Sequence, residues 1–262
     1  MSIDFGSACQ ELFKTEKKWM TVLGLSVCML IPFVGPLVAL GYIFRRFGRE
    51  RQNHPVEDFD FNQFGEYLKI GLWPFLTTMV LSVILVPAIF IAMLPIMIGP
   101  TIDPENEGLI FAMIGIGILA YFAAILLYML FAFPVMLRSG LMMDFKAGFS
   151  WAFISSFIKK VGWSLILWYV LLVIIIIPLS LIGYLALIVG AYVVMVWAQV
   201  AMMSLLFQHY DLYLERGGKP IEFASELTRD YGVPPLPTFS RPPALPSETP
   251  SDGGGENSIG EG

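Results

Sequence analysis

The hydrophobic residues of this chain are gathered into long runs, and the polar residues fall between and after those runs. The apolar runs cover residues 19–44, 72–98, 109–137, 163–178 and 181–207. About 20 apolar residues of α-helix are needed to cross a hydrocarbon core of roughly 30 Å. We therefore predict an all-α fold, a polytopic integral membrane helical bundle with four full spans preceded by a broken N-terminal run.

The first run contains helix breakers at its centre, namely Pro32, Gly35 and Pro36. Proline lacks a backbone donor and clashes with the preceding turn, so a helix kinks or ends there. The run is either one kinked span or a re-entrant hairpin of two half-helices, each about 13 residues and roughly 20 Å long. Half-helices of that length are too short to cross the bilayer separately. We favour the hairpin.

Two polar segments have the pattern of amphipathic helices that lie in the membrane interface. In the first, at about residues 60–70, Asp60 and Gln63 have capping-box spacing. In the second, at about residues 144–160, an aromatic residue recurs at every fourth position, which predicts one stripe along a helix. The stripe consists of Phe145, Phe149, Phe153 and Phe157. We predict that it contacts lipid or the bundle at the cytoplasmic surface.

The distribution of Lys and Arg predicts the orientation of the bundle. These residues are concentrated in residues 45–70 and 138–160, whereas residues 99–108 and a turn near 179–183 contain none. Loops rich in Lys and Arg stay in the cytoplasm. We expect a multi-pass protein of the cell's inner (cytoplasmic) membrane, with a cytoplasmic C-terminus and, if the first run is a hairpin, a cytoplasmic N-terminus.

Composition supports this assignment and divides the chain into three parts. Hydrophobic residues make up 56% of the chain and charged residues 14%, whereas a soluble domain has roughly 25% charged residues. Residues 1–18 form a polar N-terminal tail, residues 19–216 a membrane domain, and residues 217–262 a Pro/Gly-rich cytoplasmic tail predicted to be disordered. The lipid bilayer is the expected surrounding. A basic patch for nucleic acid is absent from the sequence, so we expect no nucleic-acid partner.

Residues that carry enzyme chemistry are sparse. The two histidines, His54 and His209, lie in separate segments, and neither belongs to a metal-binding pattern such as HExxH. The sequence contains no Gly-x-Ser-x-Gly elbow, no Walker loop and no dinucleotide fingerprint. We therefore expect no enzyme activity, no catalytic residue, no cofactor and no metal site.

Transport would require polar groups at membrane depth. No Asp, Glu, Lys, Arg or His falls inside the apolar runs, although ion-coupled carriers usually bury such a residue near the midplane. The remaining candidates are Gln199, Thr77, Thr78 and Tyr192. All four are candidates for packing or for contact with a transported substrate. For Gln199, the amide at membrane depth, we favour a hydrogen bond between helices.

Several of these features together resemble a family of bacterial and archaeal membrane proteins, domain of unknown function 4013. The resemblance rests on the broken first run ending in Leu40-Gly41-Tyr42, the basic residues after it, Pro55 with the acidic and aromatic residues that follow, and the segment 140–157. It covers roughly residues 15–210. The resemblance implies a multi-span bundle and brings no assigned activity. A looser similarity, to the membrane portions attached to glycerophosphodiester phosphodiesterases, implies an accessory role.

Two functional hypotheses follow from the sequence. The first is a non-enzymatic membrane scaffold or accessory protein that binds a protein partner through its interfacial helices or through the Pro-rich stretch at residues 233–246. The alternative is a small permease or channel-like transporter that uses the broken first run as a discontinuous helix.

Overall fold

The computed structural model describes residues 3–52, 54, 56–102, 105–185 and 187–228, and the described residues form helices without β-strands. The helices are α1 (Phe5–Gln10), α2 (Lys18–Met29), α3 (Val34–Glu50), α4 (Phe64–Ile102), α5 (Glu107–Met142), α6 (Phe145–Gly148), α7 (Trp151–Leu185), α8 (Leu187–Glu215) and α9 (Ser225–Thr228), with 3-10 turns at Glu11–Phe13 and Phe61–Gln63. The predicted all-α class is confirmed.

Four helices, α4, α5, α7 and α8, are long and apolar enough to cross a membrane. The longest, α4, has 39 residues and rises roughly 58 Å at 1.5 Å per residue, well beyond the thickness of a hydrocarbon core. The helices α4 and α5 pack side by side as one hairpin, and α7 and α8 pack as a second. The predicted polytopic bundle is therefore confirmed.

The hydrophobic core is concentrated at one end of the bundle, which we call the polar end because the buried charged side chains lie there as well. The polar end comprises α1, α3, residues 56–70, the junction of α5 with α7, and residues 196–228. Its buried apolar side chains include Phe44, Leu137 and Met203. Beyond this end the spans expose large apolar side chains such as Val83 and Ile177. Lipid, rather than protein, is the solvent that suits those faces.

The first apolar run is divided into two antiparallel helices. Helix α2 ends at Met29 and α3 begins at Val34, and a Cβ placed on Gly35 would lie 2.4 Å from the carbonyl oxygen of Cys28. Further from the turn, the Phe59 backbone N–H donates to Thr21 Oγ1 at 3.2 Å, and the Phe59 ring lies 5.7 Å from the ring of Tyr42. Thr21 and Tyr42 are therefore at the same level, as in a hairpin and not in one kinked helix.

Two glycines allow the α2–α3 hairpin to pack closely against α4. A Cβ on Gly41 would lie 1.8 Å from the carbonyl oxygen of Tyr67, and one on Gly71 would lie 1.9 Å from the carbonyl oxygen of Leu37. Only glycine permits backbones to approach this closely. Helices α3 and α4 are thus in direct backbone contact at two reciprocal positions.

The second predicted interfacial helix, at about residues 144–160, is not a separate helix. Asp144 caps the four-residue helix α6 by accepting from the Lys146 N–H at 2.8 Å. The chain then bends at Phe149 and Ser150, and α7 begins at Trp151 and continues into the span. Helix α7 passes through Gly162 without a break, because a helix entering lipid must keep its backbone hydrogen bonds internal.

The turn between the last two spans also lies later than the sequence predicted. Helix α7 continues through Pro178 to Leu185, and α8 begins at Leu187. The predicted break near residues 179–183 is therefore wrong, because proline is tolerated inside membrane helices where neighbouring groups satisfy the freed carbonyl. Gly183 instead lets α7 approach α8, since a Cβ there would lie 3.0 Å from the carbonyl oxygen of Gly190.

Parts of both predicted tails pack against the bundle. In the N-terminal tail, α1 lies along α8, where Trp197 Nε1 donates to the Cys9 carbonyl oxygen at 2.9 Å. After α8, residues 217–228, which we call the return segment, fold back. The Ile221 N–H donates to the Tyr210 hydroxyl at 2.7 Å, and Leu227 is fully buried. The prediction of disorder is wrong for this segment, and residues 229–262 lie outside the described residues.

Candidate functional site

Three arginines of α3, Arg45, Arg46 and Arg49, form the centre of the polar end. Their exposed fractions are only 1%, 2% and 4%. A guanidinium stays charged under all ordinary conditions, and burying one without an acidic partner costs several kcal/mol. The fold must therefore bring carboxylates to these three positions.

One glutamate bridges two of the arginines. Glu57 Oε1 lies 3.2 Å from Arg45 Nη2, and Glu57 Oε2 lies 3.2 Å from Arg49 Nη1. Arg45 also pairs with Glu66, in the first turn of α4, and its guanidinium lies 5.7 Å from the centre of the Tyr67 ring. The segment between α3 and α4 is thereby fixed to the side of α3.

The third arginine fixes the N-terminal segment. Arg46 Nη2 donates to Glu11 Oε1 at 2.7 Å and to the Glu11 carbonyl oxygen at 2.8 Å. Lys14 Nζ donates to the other carboxylate oxygen of Glu11 at 2.7 Å. Only 4% of the Glu11 side chain is exposed. The acids thus come from three separate segments, and the arginines of α3 join those segments into one unit.

A cleft of about 360 Å³ opens beside this network, between α1, the end of α3 and α8. It is lined by Asp4, Ser7, Glu11, Lys14, Phe47, Glu50, Arg51, Ser204, Phe207, Gln208 and Asp211, among others. The amide of Gln208 holds α1 over one side of the cleft, because it accepts from the Asp4 N–H at 2.8 Å and donates to the Asp4 carbonyl oxygen at 3.0 Å. The volume of the cleft lies at the lower end of the range for ligand pockets.

Most charges in the cleft are paired with one another. Lys14 pairs with Glu11, and Arg51 pairs with Asp211. Arg51 also lies over the ring of Tyr210, at 5.0 Å. Within the described residues Glu50 forms neither an ion pair nor a hydrogen bond. Burial, and secondarily the Glu11 carboxylate, raise the pKa of Glu50 above its usual value.

The structure uses both threonines of α4 in packing. Thr77 is fully buried, and its Oγ1 lies 2.9 Å from Ser139 Oγ of α5 and also donates to the Pro74 carbonyl oxygen at 2.9 Å. Thr78 Oγ1 donates to the Pro74 carbonyl oxygen at 2.7 Å. In α5, the Tyr128 hydroxyl lies 3.3 Å from Ser82 Oγ. The Thr77–Ser139 and Ser82–Tyr128 contacts join α4 to α5, whereas the hydroxyl bond of Thr78 lies within α4.

The two predicted polar residues of α8 lie elsewhere. Gln199 is half-buried and makes no hydrogen bond to another described residue, so the hydrogen bond favoured for it is not found there. Tyr192 packs against the hydrophobic core. Neither lies in the groove of about 420 Å³ that Thr78 forms with residues of the first run, among them Pro32, Phe33 and Pro36. The four candidate residues are therefore not brought into one site.

The helix breakers and one histidine have structural positions. Pro32, Gly35 and Pro36 surround the turn from α2 to α3, where Phe33 adopts a positive φ of 64°. His209 is fully buried in α8, with Nδ1 2.7 Å from the Leu205 carbonyl oxygen and Nε2 3.3 Å from Ser164 Oγ. Within the described ranges, no group of three or more His, Cys, Asp or Glu residues converges as metal ligands do.

The predicted phenylalanine stripe is divided by the bend at residues 149–150. Phe145 and Phe149 contact each other at 5.2 Å, and Phe149 lines an apolar groove of about 430 Å³ between α4, α5 and α7. Phe153 and Phe157 are buried, and both rings contact Tyr213 of α8, at 5.5 and 5.4 Å. The second pair therefore packs in the core of the bundle.

Sequence reasoning missed the charged network and the cleft. From the sequence, the arginines after Phe44 indicate only the orientation of the protein, and no role is predicted for Glu11, Glu50 or Glu57. One signal was available, since arginines at positions 45, 46 and 49 fall on the continuation of an apolar helix and not after its end. A positive cluster on an otherwise buried helix requires acids from other segments.

Comparison with known proteins places the chain in a family but adds no activity. No curated protein and no solved structure matches the chain. The family described as "Protein of unknown function (DUF4013)" matches residues 24–207, which include most of the α2–α3 hairpin, the arginines of α3 and most of the four long helices. The match covers well over half of the sequence, so the chain belongs to the DUF4013 family, whose function is unknown.

Proposed function

We propose that this protein is a non-enzymatic membrane scaffold or accessory protein whose polar end holds a protein partner. The observation that carries the proposal is the ion-pair network of Arg45, Arg46 and Arg49. These arginines fix the N-terminal segment, the α3–α4 segment and α4 into one unit. Four membrane spans do not need such a unit in order to cross lipid, whereas a recognition surface does need groups held in fixed positions.

The use of polar groups in the spans supports a static bundle over a transport pathway. The hydroxyl groups of Thr77 and Thr78 donate to backbone carbonyls of α4, and the Thr77 hydroxyl also lies within hydrogen-bond distance of the Ser139 hydroxyl. A substrate site needs polar groups that converge on a shared cavity. Gln199 and the two threonines do not share the groove at the first run.

We further propose that the polar end faces the cytoplasm. Its arginines and lysines, including those on both sides of the α2–α3 hairpin, support this orientation through the positive-inside rule. A single cysteine at exposed Glu16, in a variant with Cys9→Ala and Cys28→Ala, is expected to react with an impermeant maleimide only after the membrane is opened. Labelling in intact cells would contradict the orientation.

Cross-linking in native membranes tests the scaffold. The full chain is compared with a chain that ends after Thr228, because the return segment is part of the fold and must be kept. A specific soluble protein cross-linked to both chains, and absent from an unrelated multi-span control, supports the scaffold through its polar end. A protein that cross-links to the full chain but not to the chain ending after Thr228 would place the contact in residues 229–262.

A small permease is the second candidate, and one observation favours it. The first run is broken, and its turn forms a groove of about 420 Å³ with α4, as discontinuous helices do in transporters. Reconstitution in liposomes separates the two proposals. Recovery of the chain without a partner, together with solute flux that is abolished by Thr78→Leu, would overturn the scaffold.

A further inference from the structure

The cleft between α1, α3 and α8 has an unbalanced charge that points to its ligand. Its two cations are already engaged, Lys14 by Glu11 and Arg51 by Asp211. Glu50 lines the same cleft and makes neither a hydrogen bond nor an ion pair with a described residue, although Arg46, Lys14 and Arg51 lie near enough to act on its charge. The cleft therefore has spare capacity to accept hydrogen bonds from a cation, whereas the cations among its described lining residues are both engaged and leave none for an anionic ligand.

The position of Glu50 in α3 strengthens this argument. Glu50 is the last residue of the helix, where the free carbonyls already carry partial negative charge. A carboxylate at that end is unfavourable by itself, and the nearby Glu11 carboxylate adds repulsion. A bound cation would be attracted by the carboxylate and the helix end together.

The apolar wall of the cleft suits a cation on a hydrocarbon stem. The rings of Phe47 and Phe207 stack at 4.4 Å, and both residues line the cleft beside Glu50. Long basic side chains bury their methylene groups on apolar surface while the charged head meets an acid. A metal ion would gain nothing from such a wall.

We propose that this cleft binds a lysine or arginine side chain of a protein partner, with Glu50 as the anchoring carboxylate. This inference rests on the proposed scaffold function and specifies the chemistry of its partner. The ordered amide of Gln208 and the paired Asp211 form the rim on the side of α8.

Binding of a lysine peptide to the full chain tests the proposal. The protein is held in nanodiscs of zwitterionic lipid, and the probe is a fluorescent acetyl-trilysine amide. Glu50→Gln is expected to weaken binding about tenfold, the usual effect of removing one charge-assisted hydrogen bond. Glu50→Asp, which keeps the charge, is expected to restore most of the affinity.

The matched control is Glu16→Gln, which removes the same charge from an exposed position of the N-terminal segment. It is expected to bind like the unchanged protein. Equal binding by the Glu50→Gln and unchanged proteins would overturn the proposal, as would an equal loss in Glu16→Gln or equal binding of a trilysine probe with acetylated side chains.

The outcome is separable from that of the scaffold. A native partner that cross-links equally well to Glu50→Gln would refute the cleft proposal and leave the scaffold standing. Trilysine binding that depends on Glu50, in membranes that yield no cross-linked protein, would support the cleft and count against the scaffold.

Discussion

The two ends of this bundle are stabilised in different ways. At the polar end, side chains meet defined partners, such as Arg46 on Glu11 and Phe157 on Tyr213. Along the spans, contacts within each helical pair are close, but the outward faces present side chains such as Val83 and Leu119 to lipid. The difference indicates that defined contacts between distant segments are concentrated in the polar end, whereas much of the apolar surface of the spans is left for lipid to cover.

The largest expected effect is at the ion-pair network. Arg46→Met leaves the buried carboxylate of Glu11 with Lys14 alone, and removing one partner of a buried pair typically costs about 3–5 kcal/mol. We expect a clear fall in the thermal midpoint in detergent. Combining Arg46→Met with Glu11→Gln should recover much of the loss, because no unpaired charge then remains. An unchanged midpoint in the single variant would remove the network as a source of stability.

A matched pair of leucines in α5 compares the two regions directly. Leu137 is fully buried at the polar end, whereas Leu119 is 73% exposed within the span. Leu137→Ala should cost about 2–5 kcal/mol through the cavity it leaves. Leu119→Ala should change the midpoint little, since lipid fills the space. An equal fall of the thermal midpoint in the two variants would contradict the difference between the polar end and the spans.

The glycine contact between α3 and α4 should be less costly to disturb. A methyl group on Gly41 would meet the Tyr67 carbonyl oxygen, and overpacking of this kind costs about 1–3 kcal/mol. Gly115 of α5 has open space around it and is the control. Gly41→Ala should therefore lower the thermal midpoint, whereas Gly115→Ala should leave it unchanged or raise it slightly. Proteolysis at increasing temperature can detect the same difference.

The smallest expected effect concerns Glu50 and pH. Burial raises the pKa of Glu50 in the folded chain, with Glu11, Arg46, Lys14 and Arg51 as its charged neighbours. A carboxyl group with a raised folded-state pKa favours folding at low pH, and this contribution is lost as pH rises through that pKa. Glu50→Gln should therefore raise the midpoint slightly at pH 8 and leave it unchanged at pH 4. A larger gain at pH 4 would contradict this assignment.

The sequence was sufficient for features that depend on local pattern. The apolar runs predicted the bundle, and Pro32, Gly35 and Pro36 predicted the break that the structure places between α2 and α3. Capping was readable too, since the carboxylate of Asp60 accepts from the Asn62 N–H at the start of a 3-10 turn.

Features that depend on distant contacts were not readable. The burial of Arg46 depends on Glu11, 35 positions earlier, and a burial pattern cannot identify a partner at that distance. The turn predicted near residues 179–183 follows Pro178, because proline ends helices in water, yet α7 continues through Pro178 to Leu185. The return segment looked polar and flexible, but the hydroxyls of Tyr210 and Tyr213 supply the partners that its backbone needs.

The return segment also determines how force reaches the membrane. Its Ala224 N–H donates to the Leu141 carbonyl oxygen of α5 at 2.8 Å, and Lys69 of α4 pairs with Glu226 at 3.6 Å. Together with the bond from Ile221 to Tyr210, these contacts attach the segment to three membrane helices. A pull on the chain beyond Thr228 would consequently act on α4, α5 and α8 at once. The force would be shared among the three helices and would not separate α8 from the bundle alone.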